Sequence, residues 1–421
     1  MLSQVDNELL TRTNPNTPMG ALFRRYWIPL VVSTELQPDG PPVKVRILGE
    51  TVIAFRDTEG RVGVVEEACP HRGTSMAFAI NEECGLRCIY HGWKFNVKGE
   101  CVDLPSEPPE SNFRHKVKLR SYPVYEGGNV VWTYLGPDDD VPPVPAFAWM
   151  DLPDSHRVVE RVWQECNYLQ VMENDLDFVH AAFLHRAKHE QPVKEGVLSS
   201  DLGISPSHPL VKNPYPRQVV EDTVYGQRYL AIGEADESNQ VIMEIHYVFP
   251  FFTYPPRFAG EDMIFHAFVP MDDENTWSWD VHFNLTRPID AETHLRRRGL
   301  WLDEQKRKLR NRSNNYLQDR EMMKRQNFSG ILGIANQDHA VTEAMGPIVD
   351  RSREHLGTSD IPLIGLRRMM LQEVRRFQNG AAPLRVNPEI VRKVYSCGAV
   401  APKGIPWQEA NPLEKEFMPT H

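Results

Sequence analysis

The stretch SWDVHFNLTR, which begins at Ser278, alternates almost without a break. Trp279, Val281, Phe283 and Leu285 fall on one side, and Asp280, His282, Asn284 and Thr286 on the other. A period of two is that of a strand with unlike faces. The runs QVVEDTVYGQRYLAIG, QVIMEIHYVFPFF and MIFHAFVP precede it, and HRVVERVWQEC opens the region. In the first third of the chain the apolar runs are shorter: VKVRIL from 43, TVIAFRD from 51, RVGVVEEA from 61, and later GGNVVWTYLG. Gly and Pro separate them at hairpin spacing. Between the two sets, DDDVPPVPAFAWMDLPD (138–154) joins an acidic run to prolines and reads as a domain boundary. Helical stretches are predicted near 167–186, 291–325 and 361–378, and the proline-rich, aperiodic residues 187–216 read as a long loop or lid. The pattern predicts an α+β protein with an N-terminal antiparallel β domain over 1–140. A second domain over 155–421 has an antiparallel sheet wrapped by helices.

Inside the first predicted helix, ENDLDFVHAAFLH (173–185) sets three carboxylates and two histidines among apolar residues. A buried charge is costly unless it is paired, neutralised or bound to a metal, so this stretch asks for a compensating partner. Length and composition fit a globular chain of two or three domains, 41% hydrophobic and 25% charged over 421 residues, without a membrane-length apolar run. The start, MLSQVDNELL, lacks the basic and apolar segments of a signal peptide, so a soluble cytoplasmic protein is expected. A net charge of -10 argues against a nucleic-acid or anionic-membrane surface, and an acidic substrate has to be caught by local cations. Six cysteines are too few to build a disulfide framework of this size.

Two of those cysteines sit in matching loops. CPHRG (69–73) and CIYHGW (88–93) each supply one Cys and one His, with sixteen residues between His71 and Cys88. Such donors suit tetrahedral zinc, or a [2Fe-2S] centre in which His replaces Cys on one iron. The mixed grouping resembles the Rieske iron-sulfur motif, matched at all four ligands and at Gly92 and Trp93. The resemblance implies that Cys69 and Cys88 hold one iron and His71 and His91 the other, as a one-electron relay. Cys84, Cys101, Cys166 and Cys397 have no partner pattern and read as structural thiols.

His180 and His185 are five residues apart, which a straight helix would splay by about 140°, so convergence on one ion needs a distortion such as a π-bulge. Two histidines and a carboxylate are the facial triad of non-haem iron(II) oxygenases. The run D-x2-H-x4-H at Asp177, His180 and His185 resembles that of the Rieske non-haem iron oxygenases. LTRTNPNTPMGALFRRYWIP, MDDENTW and GPIVDRSREHLGTSD are similar to the phthalate dioxygenase branch. That resemblance implies a helix-grip catalytic domain in which His180 and His185 bind iron and Asn174 lies close to it. Asp177 would link His180 to His91 of the neighbouring chain in a homotrimer. Within NQDHAVTEAMGP (336–347), Asp338 is the favoured third ligand, with Glu343 and His339 as alternatives. Glu173 and Asp175 read as solvated or capping carboxylates.

The implied activity is that of an oxygenase component. An NADH-dependent flavin/iron-sulfur reductase would feed it electrons for cis-dihydroxylation of an aromatic carboxylate of phthalate or phenoxybenzoate type. The alternatives are an O-demethylating monooxygenase on a methoxylated acid, a Rieske electron carrier without oxygenase activity, and a zinc-stabilised binding module. A carboxylated ring calls for a bidentate arginine. Arg186, Arg217, Arg228 and Arg257 are candidates, with Arg217 and Arg228 preferred because they flank the strand after the lid, and Phe249, Phe251, Phe252 and Tyr254 could form a ring slot.

Overall fold

The computed structural model describes residues 2–108, 110–190 and 202–419. It divides into two compact units: Thr13–Val144, and Met1–Arg12 together with Pro145–His421. The first residues thus depart from the expected 1–140 domain. Helix α1 (Gln4–Thr11) is held by the larger unit: Tyr168 Oη donates to Leu10 O at 2.6 Å and Asn167 Nδ2 to Thr11 O at 2.9 Å.

The smaller unit carries α2 (Pro18–Phe23) and ten strands, β1 (Trp27–Val32), β2 (Val43–Ile47), β3 (Glu50–Arg56), β4 (Val62–Glu66), β5 (Ile80–Glu82), β6 (Gly85–Arg87), β7 (Lys94–Phe95), β8 (Cys101–Asp103), β9 (Val124–Gly127) and β10 (Val130–Tyr134). They pair as three antiparallel sheets, β1-β10-β9, β2-β3-β4 and β5-β6-β7-β8. Ile53, Phe55, Val65, Leu86, Phe95 and Leu119 pack into one core, and Cys69 and Cys88 are part of it.

In the larger unit an antiparallel sheet runs β11-β17-β16-β15-β14-β13-β12, with β18 (Ala399–Pro402) on β14. Its strands are β11 (Arg157–Gln164), β12 (Arg217–Asp222), β13 (Gly226–Glu234), β14 (Asn239–Val248), β15 (Phe252–Tyr254), β16 (Met263–Pro270) and β17 (Thr276–Phe283). The unit's helices include α3 (Tyr168–Leu176), α4 (Pro209–Lys212), α5 (Ala291–Arg298), α6 (Arg320–Arg325), α7 (Ile334–Ala344) and α8 (Ile361–Gln378). Helix α3 packs on β16, β17 and α7, and α8 on β12 and β13. Both faces of β17 are shielded: Trp279 and Val281 are buried, and Asp280 and His282 line a cavity instead of solvent.

Two predicted helices are broken. The one over 167–186 ends at Leu176, where Asp177 turns to an extended backbone, and resumes as a single 3-10 turn at His180–Ala182. The one over 291–325 stops at Gly299, whose φ of 59° closes α5 and is a glycine's preference. The aromatic run is core: Phe252 lies 4.8 Å from Phe147 and 5.6 Å from Phe265 between ring centroids, and does not line the cavity. The predicted lid lies partly at 191–201, outside the described residues. Among the described residues no helix is long and apolar enough to cross a membrane.

Candidate functional site

In the smaller unit the two Cys-His loops have the same backbone. Gly73 N donates to Cys69 O at 2.8 Å and Cys69 N to Thr74 O at 2.9 Å; Gly92 N donates to Cys88 O at 2.9 Å and Cys88 N to Trp93 O at 2.8 Å. Gly73 and Gly92 close the turns with φ of 80° and 78°, which a Cβ would disfavour. The donors come in two like pairs. Cys69 and Cys88 are neighbours in the core, and His71 and His91 have ring centroids 4.3 Å apart, with His71 stacked on Trp93 at 4.2 Å. Burial, with Cys88 adding to it, pushes Cys69 up to about 11, so a thiolate here needs a cation beside it. His71 Nδ1 is buried without a partner. A thiol pair beside an imidazole pair, each loop giving one of each, fits a two-iron cluster with unlike irons.

In the larger unit the broken helix solves the spacing problem of His180 and His185, with no π-bulge. The turn after Leu176 lets His180 swing back, and its Nε2 lies 3.0 Å from His185 Nε2. Asp338, on the facing helix α7, brings Oδ1 to 3.6 Å from His180 Nε2 and 3.1 Å from His185 Nε2. Ligand atoms of all three fall within 4.8 Å of one another.

The outer ring nitrogens settle which atoms converge. His180 Nδ1 is 2.5 Å from the Asp177 carbonyl and His185 Nδ1 is 2.8 Å from Gln337 Oε1. Gln337 Nε2 itself donates to Ile331 O at 2.8 Å, which leaves Oε1 toward the imidazole. Both Nδ1 atoms therefore donate, and in neutral rings both Nε2 lone pairs point at each other and at a carboxylate oxygen. Three acceptors at one point require a positive charge. The electrostatics run the same way: Asp338 outweighs burial and raises His185, and His185 outweighs burial and holds Asp338 at about 2. The donor set and its tautomers fit a divalent metal with an open face.

Asn174 Nδ2 donates to Asp338 Oδ1 at 3.0 Å and orients the carboxylate. Removing that donor, as in Asn174→Ala, should weaken iron binding by about 10- to 100-fold, measured by iron titration of the metal-free protein. Asp177 touches His180 through its carbonyl; its carboxylate is 3.9 Å from His180 Nδ1 and 29% exposed, with Oδ1 accepting from Val179 N at 2.7 Å.

The other acidic residues of the region have structural partners. Glu173 is buried, not solvated, and binds Arg351 and Arg367 at 2.7 and 2.6 Å. Asp175 is likewise no surface group: it accepts from Thr253 Oγ1 and lies 2.9 Å from His266 Nδ1. Glu343 is fully buried against Lys308 Nζ at 2.5 Å and Tyr316 Oη at 2.6 Å, which leaves it outside the trio. His339 lines the cavity but lies outside the trio too.

The trio opens into a cavity of about 180 Å³. Val162, Val171, Phe178, Ile245, Ile264 and Phe268 give it an apolar side. Its polar wall holds Arg257, His266, Asp280, His282, His294 and Arg298.

The preferred arginines are elsewhere. Arg228 is buried against Glu244 and Glu221, with Nη2 donating to Asn411 O, and Arg217 is exposed at the start of β12. No described residue of β12 or β13 lines the cavity, so closeness to the lid in sequence did not place these arginines in it. Arg257 does line it. It is 7% exposed, its Nη1 donates to Pro256 O at 2.5 Å, and its Nε has no hydrogen-bond partner among the described residues. Its acidic neighbours are already engaged, Glu261 with His208 and Asp262 with Arg287. Gln337, His294 and Arg298 were missed. Gln337 lies beside Asp338 in NQDHAVTEAMGP, and the polar face of SWDVHFNLTR marks the wall with His294 and Arg298 through Asp280 and His282.

The Rieske [2Fe-2S] domain family matches residues 26–123, and the family described as LigXa C-terminal domain like matches residues 133–419. The chain is 36% identical to the 3-chlorobenzoate-3,4-dioxygenase oxygenase subunit of Comamonas testosteroni, covering 96% of each. It is also 36% identical to the phthalate 4,5-dioxygenase oxygenase subunit of Pseudomonas putida, over 97% of this chain and 94% of that protein. With the 5,5'-dehydrodivanillate O-demethylase oxygenase subunit of a Sphingobium species it shares 30% identity over 91% and 83%. Among solved structures, the NdmA QL mutant of Pseudomonas putida CBB5 with theobromine has the same fold, with a TM-score of 0.60 at 18% identity over 90% of this chain and 97% of that one.

Proposed function

Because this chain belongs to the Rieske non-haem iron oxygenases, with a [2Fe-2S] cluster and a mononuclear iron as the family's cofactors, we propose that it cis-dihydroxylates an aromatic carboxylate of phthalate or phenoxybenzoate type. The observation that carries this reading is the His180, His185 and Asp338 trio opening into the cavity that also holds Arg257, a buried guanidinium whose Nε has no hydrogen-bond partner among the described residues. When bound, the cluster supplies electrons singly and the mononuclear iron supplies oxygen activation.

Cys69, Cys88, His71 and His91 would hold the cluster, and His180, His185 and Asp338 the mononuclear iron. The chain's other residues act around them. Gln337 and the Asp177 carbonyl keep both iron histidines in the tautomer that presents Nε2. Arg257 anchors the acid with a charge-assisted hydrogen bond, while Val171, Phe178 and Phe268 take the ring and exclude water. The Asp177 carboxylate is free to accept a hydrogen bond from His91 of the partner subunit, which requires a closed homotrimer fed by an NADH-dependent flavin/iron-sulfur reductase.

The test is to reduce the iron-loaded protein and expose it to labelled oxygen with phthalates, phenoxybenzoates and methoxybenzoates. A product carrying two labelled oxygens supports the proposal. Loss of a methoxyl group as formaldehyde would instead establish the O-demethylase reading, which the resemblance to the dehydrodivanillate enzyme favours. Arg257→Met should raise the dissociation constant of the accepted acid by at least about 30-fold, the scale for losing a buried charged hydrogen bond, as read by calorimetry.

A further inference from the structure

On the polar wall, His282 of β17 and His294 of α5 lie with ring centroids 4.0 Å apart. His282 Nε2 is 2.8 Å from Asp280 Oδ1. His294 is 7% exposed, lines the cavity, and has a buried Nε2 with no hydrogen-bond partner among the described residues. Burial is the main cause that keeps both rings uncharged. For His294 the facing His282 comes next, and Arg298 and Arg257 reinforce burial at both rings against the pull of Asp280, leaving His282 at about 4 and His294 at about 2.

The cations of this wall differ in what remains available. Arg298 lies 2.6 Å from Asp280 and 3.4 Å from Glu160, and His266 sits between Asp175 and Asp280 at 2.9 and 3.4 Å. Arg257 has no such partner among the described residues. The wall therefore offers Arg257 to an anionic group and, in the same cavity, an uncharged nitrogen that needs a hydrogen bond. A neutral oxygen would satisfy that nitrogen at no charge cost.

We infer that His294, backed by His282, is a specificity-determining residue whose Nε2 binds a hydroxyl or alkoxyl oxygen carried by the aromatic acid that Arg257 anchors. The inference rests on the aromatic-acid reading of the cavity and narrows it to acids that carry a neutral oxygen substituent.

The test is calorimetric titration of the resting, oxidised holoenzyme, without reductant, with benzoate, phthalate and the positional isomers of hydroxybenzoate and methoxybenzoate. At least one hydroxy or methoxy isomer is expected to bind about tenfold more tightly than benzoate. That advantage should fall to within about twofold in His294→Phe and return in part in His294→Asn, which restores a hydrogen-bonding group. Benzoate is the reference for Arg257 alone, and thermal melting checks that both variants fold.

No gain over benzoate in the parent protein overturns the inference, and so does a gain that survives His294→Phe. A gain confined to phthalate overturns it as well, because the nitrogen would then serve a second carboxylate. If the parent binds none of the acids, benzoate included, the aromatic-acid reading fails and the inference falls with it.

Discussion

Replacing His185 with alanine is expected to strip the mononuclear iron while the [2Fe-2S] cluster and its visible absorption remain. The two sites are built in separate compact units, Thr13–Val144 and the unit that contains α3 and α7, so one can be emptied without disturbing the other. His185 is the most buried of the three converging residues, and Gln337 locks its tautomer. Without it, His180 and Asp338 provide only two donors from a face that needs three. Oxygenation should fall by at least about 10³-fold, the scale seen when one member of a group acting as a unit is lost. Iron analysis and absorption spectroscopy of the same sample decide the matter. Loss of the cluster along with the iron, or retention of both, would contradict the assignment.

A second large effect is expected at Glu173, one residue before Asn174. Its carboxylate binds Arg351 through Nε and Nη2 and Arg367 through Nε, all in a buried setting, and Arg351 also reaches Asn7 of α1 at 3.1 Å. Glu173→Gln removes the negative charge and leaves two buried guanidiniums without it; Glu354 still holds Arg367. Breaking such a pair from one side costs about 3–5 kcal/mol, which should appear as a lower denaturant midpoint.

The pH dependence has a definite sign. Burial alone would raise the Glu173 pKa, but Arg351 and then Arg367 outweigh it and hold the carboxyl below its ordinary value of 4.5. A depressed carboxyl stabilises the fold above that ordinary value, and the contribution is lost as pH falls through the folded-state pKa. The gap between parent and variant should therefore be widest above pH 4.5 and close as the solution is acidified further. A constant gap across this range would mean that charge pairing is not what Glu173 contributes.

The local chemistry of both metal sites was legible in the sequence because ligand spacing is a local property. CPHRG and CIYHGW hold their donors within single turns, so residue type and interval specify the loops, and Gly73 and Gly92 mark where each turn closes. The alternation of SWDVHFNLTR likewise fixed β17, because a strand's two faces are set by neighbouring residues. The helix near 361–378 was readable for the same reason and runs Ile361–Gln378.

What a polar residue faces is decided at long range, and there the sequence ran out. Glu173 and Asp175 look alike as carboxylates three and one residues before Leu176, yet one meets Arg351 and the other His266, each brought in from distant parts of the chain. Arg228 and Arg257 are equally plausible as anion anchors by type. Only the pairing of strands spends Arg228 on Glu244 and leaves the Arg257 Nε without a partner at the cavity. By itself the sequence singled out the closely spaced donors, Cys69, His71, Cys88, His91, His180 and His185, because donor type and interval are local, whereas the choice of Asp338 over Glu343 and His339 came from folding. Tertiary structure alone decided which charges were already neutralised, because a charge is free or spent according to neighbours that folding supplies.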